Sequence, residues 1–478
     1  MTDYTKTTNF TAKDSLTTGD PNKVVSGAEI DAEFDALATA SASKVDDGAN
    51  STLTSLTGLT TPLTVAQGGS GAATLTDGGV LLGSGTGAVT AMAVLADGEM
   101  IVGDGTTDPV AESGLTLLQS IGVDNLVDKN PIINGDFNSW QEGEAHLVEV
   151  GNGSASPHFA DMFTFIENGT PASTWTITQD TSVPTVAESG HLSTSSMKAV
   201  CVSDSTGDSG TDGIGIRYTI EGYDFLPYAQ QIFTISFWHK HTKTGTQSVV
   251  LQNSGNDTSY VAEYTQTTTN TWEKATLTIP ASPSAGTWDY TNSAGLKIIW
   301  GITAQSSRTF AATGSWVAGG SSIQYASDDS VDNADAASNV FQLAQIKIDK
   351  GAVALPFIGR SHQEELSRIH RYFRRMTEST GNYQLASGLY TSTTAFRAFF
   401  EFPVEMRAAP TMGDSGDTDF SVQSNLQETV ASGFAIANAY PTSAIITMTT
   451  STAVDGDGGI LFLESASDGG YLEFDARL

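Results

Sequence analysis

Apolar residues recur along this chain with two different periods. Near the start, Ile30, Phe34 and Leu37 fall at helical spacing, and Ala38 and Ser41 continue the stripe with small side chains. Ser26 followed by Glu29 is a capping box, so a helix is predicted over about 26–43. A helix of that length is marginal in water on its own. Its stripe must therefore pack on copies of itself or on a partner protein. Farther along, the period drops to two. Phe233, Ile235 and Phe237 alternate with Thr234 and Ser236, Leu277 and Ile279 with Thr276 and Thr278, and Leu296, Ile298 and Trp300 with Lys297. Runs of this length, separated by Gly, Asn, Asp and Ser turns, predict an antiparallel β-sandwich or jelly roll across 125–360. A second capping box, Ser361 with Glu364, opens a predicted connecting helix over 361–379, with Leu366, Ile369, Phe373 and Met376 on one stripe. A further β-rich segment, 380–478, reads as a C-terminal tip domain.

Between the first helix and the sandwich, 47–124 is rich in Gly and Thr and contains an internal repeat. Asp77-Gly78-Gly79-Val80-Leu81-Leu82-Gly83-Ser84-Gly85-Thr86 returns 20 residues later as Asp97-Gly98-Glu99-Met100-Ile101-Val102-Gly103-Asp104-Gly105-Thr106. Each unit reads as a turn, a short apolar strand and another turn. Such a unit cannot bury its own apolar face and has to stack on neighbours. Two copies are too few for a single-chain solenoid, so stacking around a symmetry axis with other chains would complete the core. A flexible Gly/Thr linker is the alternative, and the regular Val-Leu-Leu and Met-Ile-Val triplets count against it. The expected fold class is mainly β: an elongated homotrimer with a short N-terminal helix in 1–46, a repeat shaft, and antiparallel sandwich domains.

Charge narrows the function. The 478 residues, enough for two to four domains, carry 54 Asp and Glu against 22 Lys and Arg, a formal net charge of -32. That argues against binding a phosphate backbone, which needs a basic footprint, and against docking on anionic lipid. The single cysteine, Cys201, rules out an intramolecular disulfide and a Cys-based zinc site. No apolar run reaches the ~18 residues that suggest a membrane span. The start, MTDYTKTTNF, lacks the apolar core of a signal peptide. A soluble protein made in a reducing cytosol is expected, with no nucleic acid and no membrane insertion.

In their order, these segments resemble a bacteriophage tail fibre. The run from Asn9-Phe10 to Asp46 is similar to the virion-attachment segment of many short-tailed phage fibres. Thr64 to Gly71 and Gly79 to Gly114 resemble their Gly-rich shaft repeats. Asn134-Gly135-Asp136-Phe137-Asn138-Ser139-Trp140 resembles the first strand of carbohydrate-binding-like jelly rolls. Gln345 to Gly351, Pro356-Phe357 and Glu365 to Phe373 resemble the end of such a module, and Phe402 to Pro410 a recurring fibre-tip segment. The resemblance implies a homotrimeric, non-enzymatic, receptor-binding adhesin. Its N-terminus, through Ile30, Phe34 and Leu37, would hold a phage tail or adaptor protein, and its distal end would meet a host surface polysaccharide. A tailspike depolymerase that hydrolyses capsule or lipopolysaccharide is the alternative. Such an enzyme usually shows many short β-helix rungs, which the middle of this chain does not.

Candidate chemistry is thin. Asp136 resembles a calcium-proximal position of carbohydrate-binding jelly rolls, and calcium takes six to eight oxygen ligands. The family pattern has acids where this chain has Asn138 and Gln345, so an ordinary turn at Asn134-Gly135 stands beside a structural Ca2+ ion as the reading. Asp414 to Asp419 and Asp455 to Gly459 read as acidic hairpin turns without the spacing of a dedicated calcium loop. His239-Lys240-His241 reads as a strand end with exposed polar residues. Arg360, Arg368, Arg371, Arg374 and Arg375 read as structural, the last two facing a helix C-terminus. Aromatic side chains are the sugar-binding hint, because ring faces stack on pyranose C–H groups while polar neighbours bond hydroxyls. Trp288, Tyr290, Trp316 and Tyr325 lie in polar, turn-rich contexts, and so do Tyr383, Tyr390 and Tyr440; Trp238 and Trp300 read as core. Recognition is expected mainly in the distal segment, on Tyr383, Tyr390 and Tyr440.

Overall fold

The computed structural model describes residues 3–42, 60–75, 79–103, 105, 108–113, 116–117, 120–121, 130–143, 145–148, 157–319, 323–377, 383–416, 419–424, 427–451, 454–464 and 470–478. Asp77, Gly78, Asp104 and Thr106 of the internal repeat, positions 417 and 418 of the acidic loop, and the boundaries drawn at 46–47, 124–125 and 379–380 lie outside them. The chain divides into two compact units, Met1–Gly114 and Leu115–Leu478.

In the first unit the expected N-terminal helix spans Gly27–Ala42. Its capping box is reciprocal: the Ser26 N–H donates to Glu29 Oε2 at 2.9 Å and the Glu29 N–H to Ser26 Oγ at 3.3 Å. Lys13 adds an ion pair to Glu29 at 2.6 Å. Ile30, Phe34 and Leu37 all stay exposed. The face that packs is a different one. Glu33 is buried and accepts from the Tyr4 hydroxyl, from Thr7 Oγ1 at 2.8 Å and from the Thr8 N–H. The Tyr4 hydroxyl is the main reason its carboxyl is held down to about 2. Beyond the helix, Leu81–Leu82 pairs with Thr90–Ala91 and Met100–Val102 with Val110–Glu112, each antiparallel. Strands of two and three residues build no second layer, and Val80, Leu81, Met100, Ile101 and Val110 remain exposed.

Among the described residues the second unit holds two large cores and a small satellite cluster. The larger lies between two six-stranded antiparallel sheets. The first runs Glu273–Ile279, Phe233–His241, Val340–Lys350, Ser196–Ser203, Thr174–Asp180, Ala145–Val148. The second runs Val317–Ala318, Thr258–Gln266, Gly245–Asn253, Ala294–Ala304, Gly213–Glu221, Phe163–Asn168. Strand alternation sends Phe233, Ile235 and Phe237 of one sheet against Ile298 and Trp300 of the other, and Phe237 meets the Trp300 ring edge-on at 5.8 Å. The antiparallel sandwich expected from the alternation is therefore present. Trp300 is in its core. Trp238 is buried on the opposite face of the first sheet, across from Lys274 and Ala344.

The smaller core lies between a three-stranded sheet (Phe373–Thr377, Tyr471–Asp475, Thr411–Asp414) and a seven-stranded one. The latter runs Gln427–Val430, Phe420–Ser424, Gly458–Leu463, Tyr383–Ser392, Ala395–Glu401, Ser443–Thr449, Ser432–Tyr440. Phe474 packs against Phe400 at 5.3 Å and Phe402 at 5.0 Å.

The expected 361–379 helix is corrected here. It spans only His362–His370, and Phe373–Thr377 is a strand. The reason is non-local. The Arg407 N–H donates to the Arg371 carbonyl and the Ala476 N–H to the Tyr372 carbonyl, both at 2.7 Å, so the helix ends where its backbone pairs with distant chain. Arg374 and Arg375 consequently sit on a strand and face no helix terminus. Arg375 lies over the Tyr471 ring at 3.5 Å. Arg371 instead forms a two-pronged pair with Glu221 of the sandwich, at 2.6 and 2.9 Å, and Tyr372 donates its hydroxyl to the same carboxylate. This contact and the packing of Leu478 against the larger core tie the C-terminal segment to the sandwich.

Candidate functional site

Of the aromatic residues singled out in the sequence, those of the sandwich loops come together. Phe225, from the short helix Gly222–Phe225, is fully buried and stacks on Trp288 at 5.6 Å and on Tyr290 at 6.4 Å. Trp288 meets Trp316 edge-on at 5.7 Å, and Trp316 packs on Tyr260 at 5.5 Å. The two indole N–H groups are both committed inward or along the loop: Trp288 Nε1 donates to the Ala285 carbonyl and Trp316 Nε1 to the Pro280 carbonyl, each at 2.9 Å. The rings are thus fixed by packing and by hydrogen bonds. Trp288, Tyr290 and Trp316 are half-buried, which leaves part of each ring at the surface.

Two carboxylates border the cluster. Asp257 accepts from the Thr287 N–H at 3.0 Å, from the Thr287 hydroxyl at 2.7 Å and from the Asn253 amide at 2.5 Å. The Asn253 amide, followed by Thr287, holds its pKa down to about 2. Asp289 accepts from the Thr291 N–H at 2.7 Å and hydroxyl at 2.8 Å, and the Thr291 N–H is the main reason its pKa is lowered. Both are ionised at neutral pH and offer acceptors beside the rings. The loop that carries Trp288 depends on Gly286, at φ 100°, where an added Cβ would come within 2.4 Å of Thr258 Oγ1. Rigid aromatic faces next to fixed hydroxyl acceptors suit a neutral polyhydroxylated ligand.

The distal tyrosines are split between the core and the surface. Tyr390 is 1% exposed and packs on Phe396 at 5.0 Å in the smaller core, so it cannot stack on a ligand. Its position in Tyr383–Ser392 points inward, a consequence of strand parity that the turn-rich context hid. Tyr383 and Tyr440 are exposed, but Tyr383 is level with the inward-facing Leu463, whereas Tyr440 is level with Ser443 on the outer face. Tyr325 is also buried, against Ile166, Val250, Val261 and Ile299 on the outer side of the second sheet.

Asp136, read from the sequence as calcium-proximal, is engaged in side-chain hydrogen bonds. It lines a cleft of about 390 Å³ with Asn138, Phe357 and Arg360. Its carboxylate accepts from the Ser193 hydroxyl and from the Asn138 amide at 3.2 Å, and shares a 3.0 Å hydrogen bond with His191 Nε2. Both carboxylate oxygens are thus committed to side-chain hydrogen bonds. Among the described residues no group of three or more His, Cys, Asp or Glu side chains could hold an ion.

His239 and His241, read as exposed, are buried and face the main core. Their rings stack at 5.2 Å; His239 Nδ1 bonds Gln266 Oε1 at 2.9 Å and His241 Nε2 the Tyr264 hydroxyl at 3.2 Å. Burial lowers His239 to about 4 and His241 well below its ordinary value. Cys201 is buried too, and burial is the chief cause that pushes its thiol up to about 11, so it is inert. Sequence reasoning missed Phe225 and Tyr260 as supports of the aromatic cluster. Tyr260 alternates with Ala262 and Tyr264, a signal that places it on the core face but says nothing of Trp316.

No protein-family model matches the sequence, and no curated protein matches it. Among solved structures, the chain is similar to the enzymatically active domain of tailspike protein 4 of bacteriophage CBA120. The identity is 14%, 46% of this chain is covered, and the TM-score is 0.25. The match spans 21% of that tailspike chain. The chain is also similar to TmCBM61, solved with beta-1,4-galactotriose (9% identity, 46% of this chain and 99% of that one, TM-score 0.23). A third similarity is to the family 11 carbohydrate-binding module of a cellulosomal cellulase of Clostridium thermocellum (12% identity, 43% and 99%, TM-score 0.24). None of the described helices is long and apolar enough to cross a membrane.

Proposed function

We propose that this chain is a phage tail fibre protein, a non-enzymatic adhesin of the virion that binds a host cell-surface glycan. The observation that carries the glycan reading is the cluster of Trp288, Tyr290 and Trp316, held by Phe225 and Tyr260 and bordered by Asp257 and Asp289. Recognition therefore belongs to the sandwich loops and not to the distal tyrosines. The chain acts as a homotrimer: the exposed stripe of Ile30, Phe34 and Leu37 and the exposed strands of the Gly-rich hairpins favour additional copies or partners. The N-terminal helix docks on a phage tail or adaptor protein. Three weak sites per fibre act together through avidity, so each needs little affinity alone.

The test is Trp288→Ala and Trp316→Ala in the full chain, measured for binding to host cells and to immobilised surface polysaccharide. Loss of one stacked ring is expected to cost about 1 kcal/mol per site, roughly fivefold, and more through lost avidity. Unchanged binding in both variants, with the parent's unfolding curve, would remove this surface from the account.

A further inference from the structure

Two cations stand side by side on the outer face of the sandwich's second sheet, and neither has a counter-ion. Strand parity puts them there. In Gly213–Glu221, Ile214, Ile216, Tyr218 and Ile220 fill the core, which leaves Gly213, Gly215, Arg217 and Thr219 on the other side. In Ala294–Ala304, Leu296, Ile298 and Trp300 face the core, and Lys297 and Ile299 face out. The register sets Lys297 opposite Thr219 and Ile299 opposite Arg217, so Arg217 and Lys297 are diagonal neighbours. Across the next two strands Lys297 is level with Gln252, and Gln252 with Ser259. Thr219, Gln252 and Ser259 are buried, so the cations stand on a floor of hydroxyl and amide groups. Tyr325 walls one side. Its ring lies over the two glycines that precede Arg217 on the same face, and a Cβ at Gly213 would come within 2.7 Å of it.

Arg217 is half-buried, yet among the described residues its guanidinium, with five donors, forms no hydrogen bond and no ion pair, and its Nε is buried without a partner. Lys297 donates to the Asn256 side-chain oxygen at 2.7 Å and to the Ser254 carbonyl at 3.2 Å, both neutral acceptors. Burial lowers the pKa of both groups, and the Arg217 charge lowers Lys297 further. The acids described on this sheet are engaged or remote. Glu221 is taken by Arg371 and Tyr372. Glu263, on Thr258–Gln266, is three strands from Arg217, and Glu167 is level with the core residue Ile214. Two like charges held together partly out of water repel each other and cost stability. A carboxylate is the ordinary remedy, and in a chain with 54 acidic residues none of those described supplies it here.

We propose that Arg217 and Lys297 bind a carboxylate carried by a polyhydroxylated ligand, an acidic sugar of a polysaccharide. The guanidinium takes the carboxylate through charge-assisted hydrogen bonds, and the ammonium, with three donors and two neutral acceptors, adds a third. The polar floor favours a sugar as the carrier over a lipid or an apolar peptide. The net charge of -32 does not forbid this, because charges more than about 8 Å away are screened at physiological salt while the two cations act at contact. This is a second site, for an acidic sugar, and it does not depend on the aromatic cluster.

The test is titration calorimetry of the full chain with trigalacturonate and sialyllactose, with galactotriose of the same linkage as the neutral counterpart of the first, and with acetate and sulfate as small anions. An acidic oligosaccharide should bind, more weakly as salt is raised. Arg217→Gln and Lys297→Gln should each weaken that binding about tenfold or more and leave retention of neutral glycans at the parent's level. Trp288→Ala should do the reverse, so failure of this site and failure of the aromatic cluster are told apart. Melting is the second reading. Without ligand, Arg217→Met removes the repulsion and should melt no lower than the parent, while the acidic oligosaccharide should raise the melting temperature of the parent only. Absence of binding by both acidic oligosaccharides, binding that both Gln variants leave unchanged, or acetate or sulfate binding as tightly would overturn the site. So would an unliganded Arg217→Met that melts several degrees below the parent, which would make the cation a structural group.

Discussion

Acid should loosen the sandwich through His239 and His241. Both imidazoles are buried in the main core, with Phe237, Tyr264, Gln266 and Phe341 around them and Glu273 as the nearby charge on His239. His239 is lowered from 6.5 to about 4, chiefly by burial. Between those values the unfolded chain takes up a proton that the folded one refuses, so stability is complete above about 6.5 and falls as pH drops toward 4. At 1.36 kcal/mol per pH unit the gap is worth about 3 kcal/mol from His239 alone. His241 is lowered in the same direction, by burial first and by its neighbour His239 second, and adds to the loss. The perturbation is His239→Gln/His241→Phe, which removes both titrations, keeps an amide for Gln266 and places a ring against Phe341. The assay is urea unfolding followed by tryptophan fluorescence at pH 7, 6, 5 and 4. The parent should lose about 3 kcal/mol or more relative to the variant between pH 7 and pH 4. His158 and His370, lowered to about 3 and about 4 mainly by burial, titrate in both proteins and cancel in the difference. Parallel pH profiles for parent and variant would show that neither imidazole carries the acid sensitivity.

Other outcomes follow from single contacts. Arg371→Ala leaves the buried Glu221 carboxylate with the Tyr372 hydroxyl alone and should cost about 3 kcal/mol in denaturant unfolding, whereas Arg371→Lys should recover only part of it. Gly301→Ala puts a Cβ 2.2 Å from the Tyr325 carbonyl oxygen, so the Tyr325 strap must shift; a fall in melting temperature of several degrees is expected by calorimetry. Deleting residues 1–46 should abolish attachment to particles while the melting of the sandwich is unchanged, read by pull-down on fibreless particles and by calorimetry.

Period-two alternation made the sandwich legible, because each strand buries one face and Phe233, Ile235 and Phe237 have no other place to go. The N-terminal cap was equally plain, since Ser26 and Glu29 are three residues apart and act locally. What escaped was whatever depended on distant partners. Phe373 and Met376 fit a helical stripe, yet the strand Tyr471–Asp475, about a hundred residues away, claims them. Tyr390 looked like a loop residue because Gly and Thr surround it, and only the pairing with Gly388 and Leu389 against Ala395–Glu401 fixes its parity. His239 and His241 continue the inward parity of Phe237, which was visible, but burial of two imidazoles depends on Gln266 and Tyr264 from the other sheet. Trp288, Tyr290 and Trp316 could be chosen as loop aromatics. Their gathering around Phe225 could not, because two separate loops supply them and a short helix supplies Phe225.

Surface polysaccharides and oligosaccharides displayed on an array, probed with the full chain and read for both retention and newly formed reducing ends, separate glycan binding from glycan cleavage. Retention of a defined set of neutral glycans is expected, with no cleavage, and Trp288→Ala should lose that retention. Cleavage of the bound glycan, or binding that Trp288→Ala and Trp316→Ala leave intact, would contradict it.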